Sequence, residues 1–204
     1  MVEQLDWLPS KLWLIDQSAD LAREWQDCFS TFPEVEVRAG DYFVQPADAI
    51  VSPANSFGVM DGGIDLAIRD QLGFSIQGKV QDAIVDRFHG ELPVGAAVIV
   101  ETGDSRWKYL IAAPTMRVPE RVSTSINAYL ACRAVLVAAE RFNREQGSKR
   151  IESLVCCGLC TGVGEMLPGR CARQMALAYK SMLMPAMIGR YESIHALHVA
   201  LRNA

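Results

Sequence analysis

Short apolar runs alternate with helix-length amphipathic segments along the whole chain, and that alternation leaves few folds open. Lys11-Leu-Trp-Leu-Ile15, Val35-x-Val37, Asp48-Ala-Ile-Val51, Ala96 to Val100, Lys108 to Ala113 and Ile151 to Cys157 read as strands. A run without a polar alternate face has to be covered on both sides, which points to a mostly parallel sheet inside helical layers. The intervening segments supply those layers. Ser18 caps a predicted helix through about Phe29, with Leu21, Ala22, Trp25 and Phe29 on one face. Further helices are predicted over Ile64 to Gln71, 76 to 89, Ser123 to Arg144, about Pro168 to Met184, and 190 to 202. No repeat and no shift in composition marks a linker, so the class is α/β with helices on both faces of the sheet.

Half of the 204 residues are apolar and 22% are charged, enough to build a core without staples. Lys and Arg number 20 against 24 Asp and Glu, giving a net charge of -4 with no run of like sign. That argues against a broad phosphate-binding surface for DNA or RNA. A bound phosphate would be held by backbone amides instead. No apolar stretch approaches the roughly 18 residues of a membrane span. Glu3 and Asp6 stand where a secretory leader would carry cations, so the expected setting is the cytoplasm. The six cysteines then read as reduced thiols packed as small hydrophobes.

Two glycine-rich segments follow apolar strands and precede helices. They are Ser52-Pro-Ala-Asn-Ser-Phe-Gly-Val-Met-Asp-Gly-Gly-Ile-Asp65 and Gly158-Leu-Cys-Thr-Gly-Val-Gly-Glu-Met166. Open α/β sheets bind ligands at such places, beside helix N-termini. Glycine there lets the backbone approach a diphosphate, and its N–H groups supply positive potential without cations. Tight connections in a compact domain would have the same composition.

Gly40-Asp41, Asp48-Ala-Ile-Val51, Ala54-Asn55-Ser56, Gly62-Gly63-Ile64-Asp65 and Ala67-Ile68, in that order, resemble the opening half of a macro domain. Leu92 to Val100 and Tyr109 to Pro114 resemble its middle strands. Thr161-Gly-Val163, Pro168 and Ala172-Arg-Gln-Met175 resemble its last loop and helix. The resemblance spans roughly residues 11 to 182. It implies a three-layer αβα fold around a mixed sheet of six or seven strands. The expected macro domain covers residues 1–184, followed by an extension, 185–204, that forms a short helix packed on the same domain. The implied ligand is ADP-ribose or an ADP-ribosylated protein, with no cofactor and no metal. By the same resemblance Asp41 takes the adenine amine and Tyr42 lies at the adenine edge. Asn55 would hold the distal ribose, and Gly62, Gly63 and Ile64 would wrap that ribose and the diphosphate. Thr161, Gly162, Val163 and Gly164 would close over the other side.

Asp65 is the most informative residue. In the hydrolytic branch of the resembled family an acid directly follows the glycines, whereas binding-only members often lack it. A carboxylate beside an anomeric carbon can orient water or steady an oxocarbenium-like charge. The implied activity is hydrolysis of ADP-ribosyl esters, with Asn55 and Asp65 as its catalytic pair. A non-catalytic reader of ADP-ribose is the alternative, and Asp65 would then be a helix-start acid. Several positions depart from the family pattern. Asp61 replaces a glycine, Ser52-Pro53 a more common Asn-Ala, and Gly164 an aromatic whose role Met166 could share. Ala112-Ala113-Pro114 also lacks a usual histidine and glycine.

Other signals carry less. Cys156-Cys157-x-x-Cys160, with Cys171, has no complete zinc-site spacing and reads as strand and loop packing. Gly158-x-x-x-Gly162-x-Gly164 comes too late in the chain for a dinucleotide fold. His195 and His198 read as a surface helix face, and His89 as a helix end. Met175, Met182, Met184 and Met187 read as a core or sticky terminal face.

Overall fold

The computed structural model describes residues 7–148, 150–184 and 188–203. Its elements, in chain order, are β1 (Lys11–Asp16), α1 (Ala19–Phe29), β2 (Val35–Ala39), β3 (Ala49–Ser52), α2 (Gly63–Leu72), α3 (Ser75–Phe88), β4 (Val98–Glu101), β5 (Tyr109–Ala112), α4 (Asn127–Glu145), β6 (Ser153–Cys156), α5 (Pro168–Met182) and α6 (Tyr191–Arg202). A 3-10 turn, Tyr42–Val44, joins β2 to β3. The strands form one mixed sheet in the order β2-β1-β6-β3-β5-β4. Every neighbouring pair is parallel except β4 with β5, which is antiparallel.

Alternation along the strands divides the core in two. Leu12, Leu14, Val51, Ile111, Leu154 and Cys156 point to one face, where α1, α4 and α5 close over them with Trp25, Val135 and Met175. Ile15, Ile50, Leu110 and Val155 point to the other, under Ile68 of α2 and Val80 and Ile84 of α3. β3 and β5 are buried along their whole length, as their unbroken apolar runs require. The fold is the expected three-layer αβα arrangement.

The start of one helix departs from the sequence expectation. α4 starts at Asn127, not Ser123, because Ser125 Oγ donates to Val122 O at 2.7 Å and accepts from Asn127 N at 3.2 Å. That hydroxyl turn offers the backbone an alternative to helix. His89 ends α3 as expected, in the left-handed region at φ 54°, a position usually taken by glycine, and Gly90 follows at φ 91°.

α6 rests on α5 through its last turn. Leu201 is buried, its carbonyl accepts from Gln174 Nε2, and Arg170 Nη2 donates to Arg202 O at 2.9 Å. The boundary expected at residues 184–185, and Met187, fall against or within residues 185–187, which lie outside the described residues. No helix among the described residues is long and apolar enough to cross a membrane.

Candidate functional site

The strand order puts β6 between β1 and β3, so the loops leaving their carboxyl ends meet. They enclose a cleft of about 560 Å³. The sequence-predicted residues Asn55, Gly62, Gly63, Ile64, Asp65, Thr161, Gly162, Val163, Gly164 and Met166 all line it. So do Asp61, Pro53 and Asp16, with Thr115, Met116 and Pro119 from the loop after β5.

Three helices begin at this cleft. Ser18, the N-cap of α1, lines it, as do Gly62 to Asp65 at the start of α2 and Pro168 at the start of α5. Neither α2 nor α5 has a side-chain cap, so the N–H groups of their first turns keep their donors for something else. No Lys, Arg or His among the described residues lines the cleft. The positive ends of three helix dipoles are what it offers an anion. A Cβ added at Gly62, Gly63 or Gly162 would meet nothing within 4 Å, so these glycines leave open space for a ligand.

Gly164 is different. A Cβ there would sit 2.5 Å from Cys160 O and 2.7 Å from Val122 Cγ2. The aromatic expected from the family pattern has no room, because Val122 already fills the space. The surrounding loop is held in unusual backbone conformations, with Cys160 at φ 68° and Glu165 at φ 50°. Bonds at 3.0 Å from Met166 N to Cys160 O, from Glu165 N to Gly162 O and from Val122 N to Gly164 O fix it, aided by the Arg121–Glu165 ion pair. Strain held this firmly is typical of binding sites.

Asp65 lies in the first turn of α2 and is 8% exposed. Ser52, the last residue of β3, donates its hydroxyl to Asp65 Oδ1 at 2.5 Å. Burial raises the carboxyl from its ordinary 3.8 to about 6, and the Ser52 hydrogen bond partly opposes that rise. Asp65 thus titrates close to neutrality at the wall of the cleft. Asn55 also lines the cleft, but its amide is committed to its own loop. Nδ2 donates to Val59 O at 2.7 Å, and Oδ1 accepts from Phe57 N and Val59 N.

Two expected site residues are placed elsewhere. Tyr42 is outside the cleft lining: it is buried, and its hydroxyl donates to Val51 O at 2.5 Å, with Val155 O at 3.3 Å. An aromatic ring next to a turn packs inward when two strand carbonyls can satisfy its hydroxyl. Asp41 is exposed and outside the lining, with its carboxylate accepting from Phe43 N at 2.9 Å to cap the 3-10 turn. Sequence reading missed Asp16. Its two carboxylate oxygens accept from Ser18 N at 2.9 Å and Gly158 N at 3.0 Å, tying the first strand's loop to the last. An acid closing an apolar strand just ahead of a helix cap was the available signal.

Five of the six cysteines are buried and Cys28 is half-buried. All six are unpaired, and burial pushes the Cys132 and Cys160 thiols up to about 12 and holds Cys156, Cys157 and Cys171 protonated as well. Among the described residues no three His, Cys, Asp or Glu side chains gather as a metal site.

Fold and cleft together define an αβα domain of the class that receives ligands at the carboxyl edge of its sheet. The family model for the macro domain matches residues 51–175, and the chain belongs to the macro domain family. An uncharacterized protein of Aquifex aeolicus is 31% identical over 70% of this chain and 78% of its own length. Another, of Aeropyrum pernix, is 33% identical over 70% of this chain and 68% of its own. Among solved structures, the macrodomain of Mycobacterium tuberculosis DarG aligns with a TM-score of 0.56 and 22% identity over 71% of this chain and 89% of that one. Thermosipho africanus DarTG, solved in complex with ADP-ribose, aligns with a TM-score of 0.54 and 19% identity over 71% of this chain and 38% of that one.

Proposed function

We propose that this chain binds ADP-ribose and hydrolyses ADP-ribosyl esters, either on acidic side chains of a modified protein or in O-acetyl-ADP-ribose. The observation that carries the reading is the juxtaposition of a cleft without cations among the described residues, walled by three helix N-termini, with the buried carboxylate of Asp65. The dipolar wall suits a diphosphate. The open sides of Gly62, Gly63 and Gly162 suit its close approach. The ligand seen in Thermosipho africanus DarTG has this chemistry.

In this reading the diphosphate lies between the start of α2 and the loop 161–164, with the distal ribose toward Asp65. The adenine lies toward Asp16 and Ser18, beside Asp41: Gly40 N, which precedes Asp41, donates to Asp16 O at 2.9 Å. Asp65, ionised above about 6, accepts a proton from water as the water oxygen attacks C1″ of a glycosyl ester. The bond from C1″ to the acyl oxygen breaks, and the carboxylic acid leaves with both bonding electrons as its carboxylate. The unpaired thiols fit a reducing, cytoplasmic setting, and residues 188–203 extend the same domain.

A non-catalytic reader is the second reading. The engaged amide of Asn55 favours it, since that side chain is occupied in holding the loop 55–59. Calorimetric titration with ADP-ribose tests binding, and release of ADP-ribose from a glutamate-linked ADP-ribosyl peptide tests turnover. Binding without release establishes the reader. Failure of both overturns the ligand assignment.

A further inference from the structure

Ser52 occupies a position that nothing in its own strand explains. β3 is a fully buried apolar strand, yet it ends on a hydroxyl that is 1% exposed. A buried hydroxyl needs a partner. Here the partner is Asp65 Oδ1, reached across the β3–α2 loop at 2.5 Å. The second carboxylate oxygen, Oδ2, has no hydrogen bond to protein among the described residues and is not one of the fully enclosed unpaired atoms. One oxygen is therefore clamped to the sheet while the other is left to the cleft.

Resting on the hydrolase reading above, we propose that Ser52 is the positioning residue of this site. Its hydroxyl fixes Asp65 in the single orientation that offers Oδ2 to water and holds the carboxylate in its proton-accepting form. No other group in the neighbourhood does this. Tyr42, from the 3-10 turn before β3, and Cys157, following β6, face Asp65, but burial keeps both neutral at ordinary pH. Asp16 at the end of β1 stands behind Cys157 and has its oxygens on Ser18 N and Gly158 N. Arg69, one turn further along α2, lies over the Phe74 ring and beside Asp70. Asp61 is exposed at the mouth. Nothing cationic among the described residues compensates the buried carboxylate, so the Ser52 hydrogen bond is what favours its ionised form.

The test has two arms on the intact chain. The first follows the Asp65 side-chain carboxyl carbon by NMR across pH 4–8 in the wild type, Ser52→Ala and Ser52→Thr. The second measures kcat across the same range on a glutamate-linked ADP-ribosyl peptide. Circular dichroism confirms that each variant is folded. The expected result in Ser52→Ala is an Asp65 midpoint raised by about one pH unit. The acid limb of kcat should move upward with it, and kcat on the plateau should fall by roughly tenfold or more for loss of orientation. ADP-ribose affinity should stay within a few-fold. Ser52→Thr, which keeps the hydroxyl, should restore the midpoint and the limb.

If kcat is measurable but neither the midpoint nor the acid limb moves in Ser52→Ala, the positioning role is overturned and the hydrolase reading stands. If the wild type releases nothing at any pH, the hydrolase reading is overturned, and Ser52–Asp65 becomes a structural bond. An equal loss in Ser52→Ala and Ser52→Thr, with the midpoint unmoved, would also count against positioning.

Discussion

At the scale of single residues, the proposed role of Asp65 sets function against stability. The folded state holds its proton up to about 6, whereas an ordinary aspartate releases it near 3.8. Between those values the native chain binds more proton than the unfolded one, so this group's contribution to stability is full below pH 3.8 and is lost as pH rises to about 6. The difference corresponds to about 3 kcal/mol at neutrality. Asp65→Asn keeps an oxygen to accept from Ser52 and removes that penalty. Thermal unfolding at pH 7 should therefore show a higher Tm in Asp65→Asn, and turnover should fall by roughly 10²–10⁴. A lower Tm would mean that the buried carboxylate stabilises the fold in ways the geometry does not show. Gly164 gives the opposite case, in which space and not charge decides. Gly164→Ala drives a Cβ against a backbone carbonyl held by its own loop and should lower stability by about 1–3 kcal/mol in chemical denaturation. Unchanged stability would show that Val122 and the loop yield easily.

The proposed binding determinants belong to elements, namely the first turns of α1, α2 and α5 and the loop that crosses between them. Gly162→Val is the sharpest probe of this arrangement, because its Cβ meets nothing and its backbone is not left-handed. It should leave the unfolding midpoint within about 0.5 kcal/mol of wild type and lower ADP-ribose affinity at least 100-fold by filling the approach path. Retained affinity would move the diphosphate elsewhere. Much at this level was legible in the sequence. The buried strands announced themselves through runs such as Asp48-Ala-Ile-Val51, and Ser18 was recognisable as a cap that the structure shows accepting from Leu21 N. The glycine-rich segments were legible as cleft walls because they follow strands and open helices. Tyr42 and Asp16 were not, and for a common reason. Each depends on long-range partners, Val155 O for one and Gly158 N for the other, which local pattern cannot pair. The start of α4 was missed because a serine turn competes with helix over a distance shorter than the periodicity can resolve.

For the molecule as a whole, a net charge of -4 and a cleft lined by Asp16, Asp61 and Asp65, with no cation among the described residues, would make an unusual partner for the proposed anion. Dipoles act at short range and are little screened inside a cleft, while ion pairs with mobile side chains weaken in salt. ADP-ribose affinity should therefore change by no more than about threefold between 50 and 500 mM NaCl, measured calorimetrically. A loss of tenfold or more would reveal a basic side chain reaching the ligand. The same arrangement has a kinetic side. A negatively charged body offers an approaching diphosphate no long-range attraction, so encounters are not hastened by the protein's field. Whatever affinity the cleft achieves must then be written into how slowly the ligand leaves once its phosphates have met the helix ends. Variants in the loops 61–64 and 158–166 should differ from one another in residence time far more than in the rate at which they capture ligand.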